Sequence, residues 1–190
     1  MDVLKEIIKN EATVLHGTIL RVDGFLNHQI DVNLLSACGR EWYEKFKDEK
    51  VTKILTVEAS GIAVACLTAQ HFGVPVVYAR KGKCSQLGEN VYSVKAVSYT
   101  HGKSYDVVVS KEYVGENDRI LIIDDLLAGA SDVKALITIA EQAGATVVGI
   151  GIAVEKVYHG GGNLLRELGY RVESLAKISS LDGDKIEFCD

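Results

Sequence analysis

Two stretches of this chain repeat one pattern of apolar and polar positions. Lys53 to Ser60 (KILTVEAS) is an aliphatic run ending in a polar turn, Gly61 to Phe72 places apolar residues at helical spacing, and Val74 to Ala79 (VPVVYA) is a second aliphatic run. Ile120 to Asp124 begins a second unit, followed by Val133, Leu136, Ile137, Ala140 and Ala143 at helical spacing and then by Thr146 to Val154. Each reads as strand, helix, strand. The strand runs are nearly continuous rather than alternating, which is the pattern of strands buried on both faces, so a parallel sheet covered by helices is predicted. Right-handed crossovers bring both strand-to-helix turns to the same edge of such a sheet. Glu58 to Gly61 and Asp124 to Asp132 are therefore expected to be neighbours.

The other segments complete an α/β domain. Asn90 to Tyr99 and Tyr105 to Tyr113 alternate polar and apolar residues around THGKS, which predicts a hairpin, and the polar segment Gly82 to Asn90 before it predicts a lid loop. A helix from Asp31 to Asp48 carries Leu34, Leu35, Cys38, Trp42 and Phe46 on one face, with Asp31 as its N-cap. Before it, Thr18 to Ile30 reads as strand and loop. The C-terminal part holds a loop, HGGG, at His159 to Gly162, a short helix, and strands near Tyr170 to Ala176 and Lys185 to Phe188. No internal repeat or linker interrupts the 190 residues, so a single domain over 1–190 is expected.

Composition narrows the class. With 47% hydrophobic and 25% charged residues and a mean hydropathy of +0.12, the chain is expected to be globular. A net charge of −5 and a pI near 5.6 provide no broad electrostatic footprint for a polyanion, and no nucleic-acid partner is expected. No apolar run approaches the roughly 20 residues that span a bilayer, and MDVLKEIIKN lacks the apolar centre of a signal peptide, so a cytoplasmic protein without membrane contact is expected. Cys38, Cys66, Cys84 and Cys189 form no CxxC pair, which signals neither a disulfide framework nor a zinc site. The five histidines show no ligand spacing either.

The candidate chemistry lies in Ile120 to Asp132, ILIIDDLLAGASD. A buried strand delivers Asp124 and Asp125 to its C-terminal end, and small residues then open a helix whose first amides are free. Carboxylates accept hydrogen bonds from vicinal sugar hydroxyls, while amides at the positive end of a helix favour a phosphate. A site for a sugar phosphate is predicted. Ser60 does not form a nucleophile elbow, because Glu58 and Ile62 stand where G-x-S-x-G needs glycines. Gly149 and Gly151 lack the third glycine of a dinucleotide fingerprint.

This order of strand, paired acids and small-residue turn resembles the phosphoribosyl pyrophosphate (PRPP) motif of the type I phosphoribosyltransferases. The turn EASG at Glu58 to Gly61 and the cluster ARKGK at Ala79 to Lys83 agree with it. GTILRVDGFLNHQID, EASGIA, GVPVVYARK, ILIIDD, GIGIAVEK and LGYRVESLAKISSL together resemble the bacterial xanthine phosphoribosyltransferase family over nearly the whole length. The resemblance implies the type I fold, with a small hood made by the N- and C-terminal parts. It implies transfer of phosphoribose from PRPP to N9 of xanthine, with purine contacts at Leu20, Asn27 and Lys156. It places PRPP on Ala128, Gly129, Ala130, Ser131 and Asp132, with Lys81 on the pyrophosphate and Asp124 and Asp125 as the catalytic acids. Mg²⁺ is expected to arrive with PRPP rather than in a protein cage, and a homodimer is implied. Another purine phosphoribosyltransferase, or a non-catalytic PRPP-binding regulator, stands as the alternative.

The phosphate turn departs from the family pattern. Where the family reads ANGQA, this chain reads AGASD, so Ala130 replaces a glycine and Asp132 adds a negative charge. Asp132 reads either as a cap for the first helical amides or as a ligand contact. Some members of the superfamily carry a base four residues after the first acid; that position here is Ala128, so no general base is assigned.

Overall fold

A computed structural model describes residues 1–82, 90–97, 102, 104–182 and 185–189. Five helices and ten strands are arranged in it around one eight-stranded sheet and one small hairpin. In chain order these are α1 (Asp2–Glu11), β1 (Thr13–Leu15), β2 (Ile19–Arg21), α2 (Val32–Phe46), β3 (Lys53–Val57), α3 (Ser60–Phe72) and β4 (Val76–Lys81). There follow β5 (Val91–Val97), β6 (Ser104–Ser110), β7 (Arg119–Leu127), α4 (Ser131–Gln142), β8 (Thr146–Lys156), α5 (Gly161–Glu167), β9 (Val172–Asp182) and β10 (Lys185–Cys189).

The sheet order is β10-β9-β8-β7-β3-β4-β6-β5. Its five central strands, β9 to β4, are parallel, and the pairs at the two ends are antiparallel. From β3 the chain crosses to β4 on one side and later enters β7 on the other. The strand order therefore reverses between β3 and β7, and the C-terminal ends of these two strands border the crevice where open α/β sheets bind ligands.

Burial accounts for the central strands. Ile120, Leu121, Ile122 and Ile123 of β7 are all fully buried because helices cover both faces. Leu121 and Ile123 join Trp42, Phe46, Val64 and Ala65 on the α2/α3 side, whereas Ile120 and Ile122 join Leu136, Ile139 and Ala140 on the α4 side. α2 starts where its cap predicts: an Asp31 carboxylate oxygen accepts from the amides of Asn33 at 2.9 Å and Leu34 at 3.0 Å. Such a cap contributes about 1 kcal/mol.

Four features differ from the sequence-based expectation. β7 does not stop at Asp124 but continues to Leu127, because β8 is also longer and keeps pairing: Asp124 opposes Ile152, Leu126 opposes Val154 and Leu127 opposes Glu155. The two acids lie inside the strand rather than at its end. The segment after Asp23 forms a single π-helical turn (Asp23–Asn27) that buries Phe25 and Leu26. Asp2–Glu11, for which no element is predicted above, is a helix whose Leu4 and Ile8 are fully buried. HGGG is not a loop, since Gly161 and Gly162 already belong to α5, and β9 extends to Asp182. The hairpin of β5 and β6 forms as expected. Of the expected lid, only Gly82 and Asn90 lie within the described residues; Lys83 and Cys84 lie outside them.

Candidate active site

The alternation of β7 separates the two acids. Asp125 faces the α2/α3 side, where its Oδ1 accepts from the Ser60 hydroxyl at 2.8 Å and its Oδ2 from the Asn27 amide at 2.8 Å. Three elements thus meet at one carboxylate: the turn after β3, the π-helical turn of the hood, and β7. Asp124 lies on the other side, bordering a cavity of about 210 Å³. Burial and then the neighbouring Asp125 carboxylate hold the Asp124 carboxyl well above the usual range for an acid.

The floor of that cavity is the turn 128–130 and the start of α4, and its walls include Lys81 and Tyr105. Among the described residues no side chain caps the first turn of α4, so its amides face the cavity without a side-chain acceptor there. The turn is braced from behind, where the Gly161 amide donates to the Ala128 carbonyl at 3.0 Å. A Cβ at Gly161 would overlap that carbonyl, so the first glycine of α5 is required by the turn 128–130.

Ala130 adopts φ 65° and ψ 13°, the left-handed conformation that the family's glycine at this place would take without strain. The cost for alanine is roughly 1–2 kcal/mol. Ala130→Gly is therefore expected to stabilise the fold by about 0.5–1 kcal/mol, net of the extra freedom glycine has when unfolded. Thermal unfolding checks this, and a lower Tm than that of the native chain would count against strain at this turn.

Asp132 caps nothing. Its Oδ2 pairs with the Lys81 ammonium at 3.0 Å and its Oδ1 accepts from the Tyr105 hydroxyl at 2.5 Å. Burial, followed by the Asp132 carboxylate, pushes the Tyr105 phenol above its ordinary pKa. Lys81 is also tied to the turn after β3, its backbone amide donating to Glu58 Oε1 at 2.7 Å; the Glu58–Ala59 peptide is cis.

The expected purine-contact residues are placed on three elements. Asn27 reaches Asp125, as above. Leu20 is buried in the hood, in the same apolar cluster as Phe25, Leu26 and Val154. Lys156 is the last residue of β8, half-buried and with no carboxylate partner among the described residues, and burial holds its ammonium below the usual lysine pKa. Its neighbour Glu155 is fully buried and accepts from both Arg166 amines, at 2.8 and 2.7 Å, and from the Ser174 hydroxyl. This network, like Tyr105 and the contact of Ser60 with Asp125, carries no local sequence signal, because its members lie on separate elements.

Among the described residues no group of three or more His, Cys, Asp or Glu side chains is arranged to hold a metal ion, and no helix is long and apolar enough to cross a membrane. A larger cavity of about 440 Å³ lies among Pro75, Val77, Tyr78 and Tyr113, near the starts of β3 and β4. It contains neither the acid pair nor the free amides, and the chemistry converges on the smaller one.

The family described as Phosphoribosyl transferase domain matches residues 28–173. A xanthine phosphoribosyltransferase of Staphylococcus saprophyticus is 50% identical over 188 residues, covering 99% of this chain and 97% of the relative. One from Bifidobacterium adolescentis is 50% identical over 191 residues, covering 99% of each. The crystal structure of an adenine phosphoribosyltransferase from Rhodothermus marinus superposes with a TM-score of 0.76, covering 94% of this chain and 100% of that one; at 20% identity it speaks for the fold alone. Matched across the segment that runs from the hood into β9, and paralleled along almost its full length by relatives at half identity, the chain belongs to the phosphoribosyl transferase domain family.

Proposed function

We propose that this protein transfers phosphoribose from PRPP to N9 of xanthine, forming xanthosine monophosphate and pyrophosphate; the relatives at half identity carry the name xanthine phosphoribosyltransferase. The observation that carries the reading is the switch-point arrangement: two acids of β7, one held by Asn27 and Ser60 and the other lining a cavity whose floor is an uncapped helix start.

In this reading the amides of residues 128–132 hold the 5′-phosphate, and Asp124 and Asp125 accept from the ribose hydroxyls. As the bond from C1 to the pyrophosphate oxygen breaks, positive charge develops on the sugar, and fixed carboxylates in a partly dry site stabilise it. Lys81 and the turn 58–61 receive the departing pyrophosphate. N9 then forms the new bond to C1, its proton having been lost beforehand because xanthine reacts as its anion. Lys156 supplies the compensating charge. A desolvated ammonium with no carboxylate partner among the described residues gains most from an anionic oxo-purine, and rewards adenine, with an amino group at that position, least. The Arg166 and Ser174 contacts keep Glu155 engaged, so it does not compete for Lys156. Mg²⁺ belongs with the substrate, because a hard cation that keeps its waters binds readily through phosphate oxygens; it neutralises charge on the leaving pyrophosphate. We place the enzyme in the cytoplasm as a homodimer, for which light scattering should return about twice 20.6 kDa.

The test is nucleotide formation, read by mass spectrometry, from purified protein with PRPP, Mg²⁺ and one base at a time: xanthine, hypoxanthine, guanine, adenine or orotate. Xanthosine monophosphate should predominate. Another nucleotide in excess would reassign the base, and intact PRPP with every base would leave a regulator that binds PRPP without turnover. Lys156→Ala should raise the KM for xanthine by roughly tenfold or more, the loss of one charged contact, while the KM for PRPP changes little. Equal losses for both substrates would remove Lys156 from base recognition.

A further inference from the structure

The phosphate cavity already contains an anion of the protein's own. Asp132 is the second residue of α4, and instead of turning back to its helix it extends across the cavity wall to Lys81 and Tyr105. Lys81 comes from the end of β4 and Tyr105 from the second residue of β6, so one carboxylate joins three elements around the cavity. The Lys81 ammonium also lies 5.3 Å from the centre of the Tyr105 ring, which closes the triangle. Besides the Ser131 hydroxyl on the floor, a lysine and a phenol are the side chains among the described residues lining this cavity that can donate to an incoming phosphate, and both are engaged by Asp132.

We propose that Asp132 is a built-in competitor for the phosphate groups of PRPP, setting the enzyme's affinity for PRPP by holding Lys81 and Tyr105 until those phosphate groups take them over. The proposal rests on the phosphoribosyl reading of the same cavity. A phosphate bears more negative charge than a carboxylate and presents three acceptor oxygens, so it can win Lys81 and Tyr105 from Asp132. The exchange leaves the Asp132 carboxylate facing a ligand of like charge, which lowers affinity relative to a neutral side chain. The Lys81–Asp132 pair is partly open to water, with 39% and 27% side-chain exposure, so the effect is moderate rather than prohibitive. Affinity is thereby limited by a single side chain at the start of α4.

The test compares the native chain with Asp132→Asn, which keeps the shape and removes the charge, and Asp132→Ala, which removes the contacts as well. PRPP binding is measured by calorimetry with Mg²⁺ and no base, and kinetics with both substrates. Both variants should bind PRPP about tenfold more tightly, with a matching fall in its KM and an unchanged KM for xanthine. Thermal unfolding of each variant verifies that it is folded. Unchanged or weaker PRPP binding by folded Asp132→Asn would overturn the proposal and make Asp132 a support that positions Lys81. Should the native chain bind no PRPP, the phosphoribosyl reading fails by itself. The same titration with inorganic pyrophosphate then decides the role of Asp132, since tighter binding by the variants upholds the competitor and equal or weaker binding rejects it.

Discussion

Asp124→Asn is expected to lower kcat by on the order of 10²-fold, the usual loss on removing one preorganised electrostatic contact, and to raise Tm at neutral pH. The two effects have one cause. Asp124 is buried beside Asp125, so ionisation costs more in the folded protein than in the unfolded chain and its carboxyl titrates above the usual range. Over the window between the ordinary and the raised value, the folded state binds more protons than the unfolded state. Its stability therefore falls as pH rises through that window and stays reduced above it. Asparagine preserves the shape and an oxygen for the Asp125 amide, which donates to Asp124 Oδ1 at 3.0 Å, but it never ionises. Native and variant Tm should converge below about pH 3, where the acid is neutral in both states, and separate as pH rises, with the variant higher. Full turnover by the variant would end the assignment of Asp124 to the ribose.

Arg166→Ala should cost about 3 kcal/mol of stability, the lower end of the range for breaking a buried ion pair. The lower end applies because the Arg166 side chain is 33% exposed, whereas that of Glu155 is 1% exposed. For a domain of this length the corresponding fall in Tm is roughly 6–12 °C. Burial by itself would raise the Glu155 pKa, but the hydrogen bonds from Arg166 and Ser174 outweigh it and hold the carboxyl below the usual range. The native pair thus contributes stability that is present above the unfolded pKa of Glu155 and is lost as pH falls through the lower folded value. Without Arg166 only the Ser174 hydroxyl and the Lys177 charge oppose burial, and the stability that Glu155 contributes above its unfolded pKa should shrink. Adding Glu155→Gln to Arg166→Ala should recover part of the loss, as coupled partners do. Losses from Glu155→Gln and Arg166→Ala that simply add would show that the pair is not coupled.

The parts of this molecule legible in its sequence depend on near neighbours. Asp31 caps α2 because its acceptor lies two and three residues from the amides it serves. The two strand, helix, strand units follow from aliphatic runs and helical spacing, and the adjacency of the turns after β3 and β7 follows from the handedness of crossovers. The contact between Ser60 and Asp125 realises that adjacency. The alanine in the turn 128–130 was also legible as an anomaly, since a missing glycine signals a backbone that still needs the left-handed conformation. Less legible was the end of β7, because continued pairing with β8 outweighs the polar character of Asp124 and Asp125. Gly149 and Gly151 lack local meaning too, and the packing of Phe46, Ile123 and Trp42 against β8 explains why side chains are missing there.

By itself the sequence determined the doubly covered parallel sheet, the paired acids leading into a small-residue turn, and the family resemblance, all carried by periodicity and by short motifs of consecutive residues. Tertiary structure alone decided which side chains meet. Asn27 and Asp125 lie 98 positions apart, Lys81 and Asp132 lie 51 apart, and Glu155 is completed by partners 11 and 19 positions away on α5 and β9. Such pairs have no signature along the chain, because their distance is set by sheet order and strand register. Asp132 illustrates the difference: beside a helix start it reads as a cap, and only the arrival of β4 and β6 at the same cavity wall engages its carboxylate elsewhere.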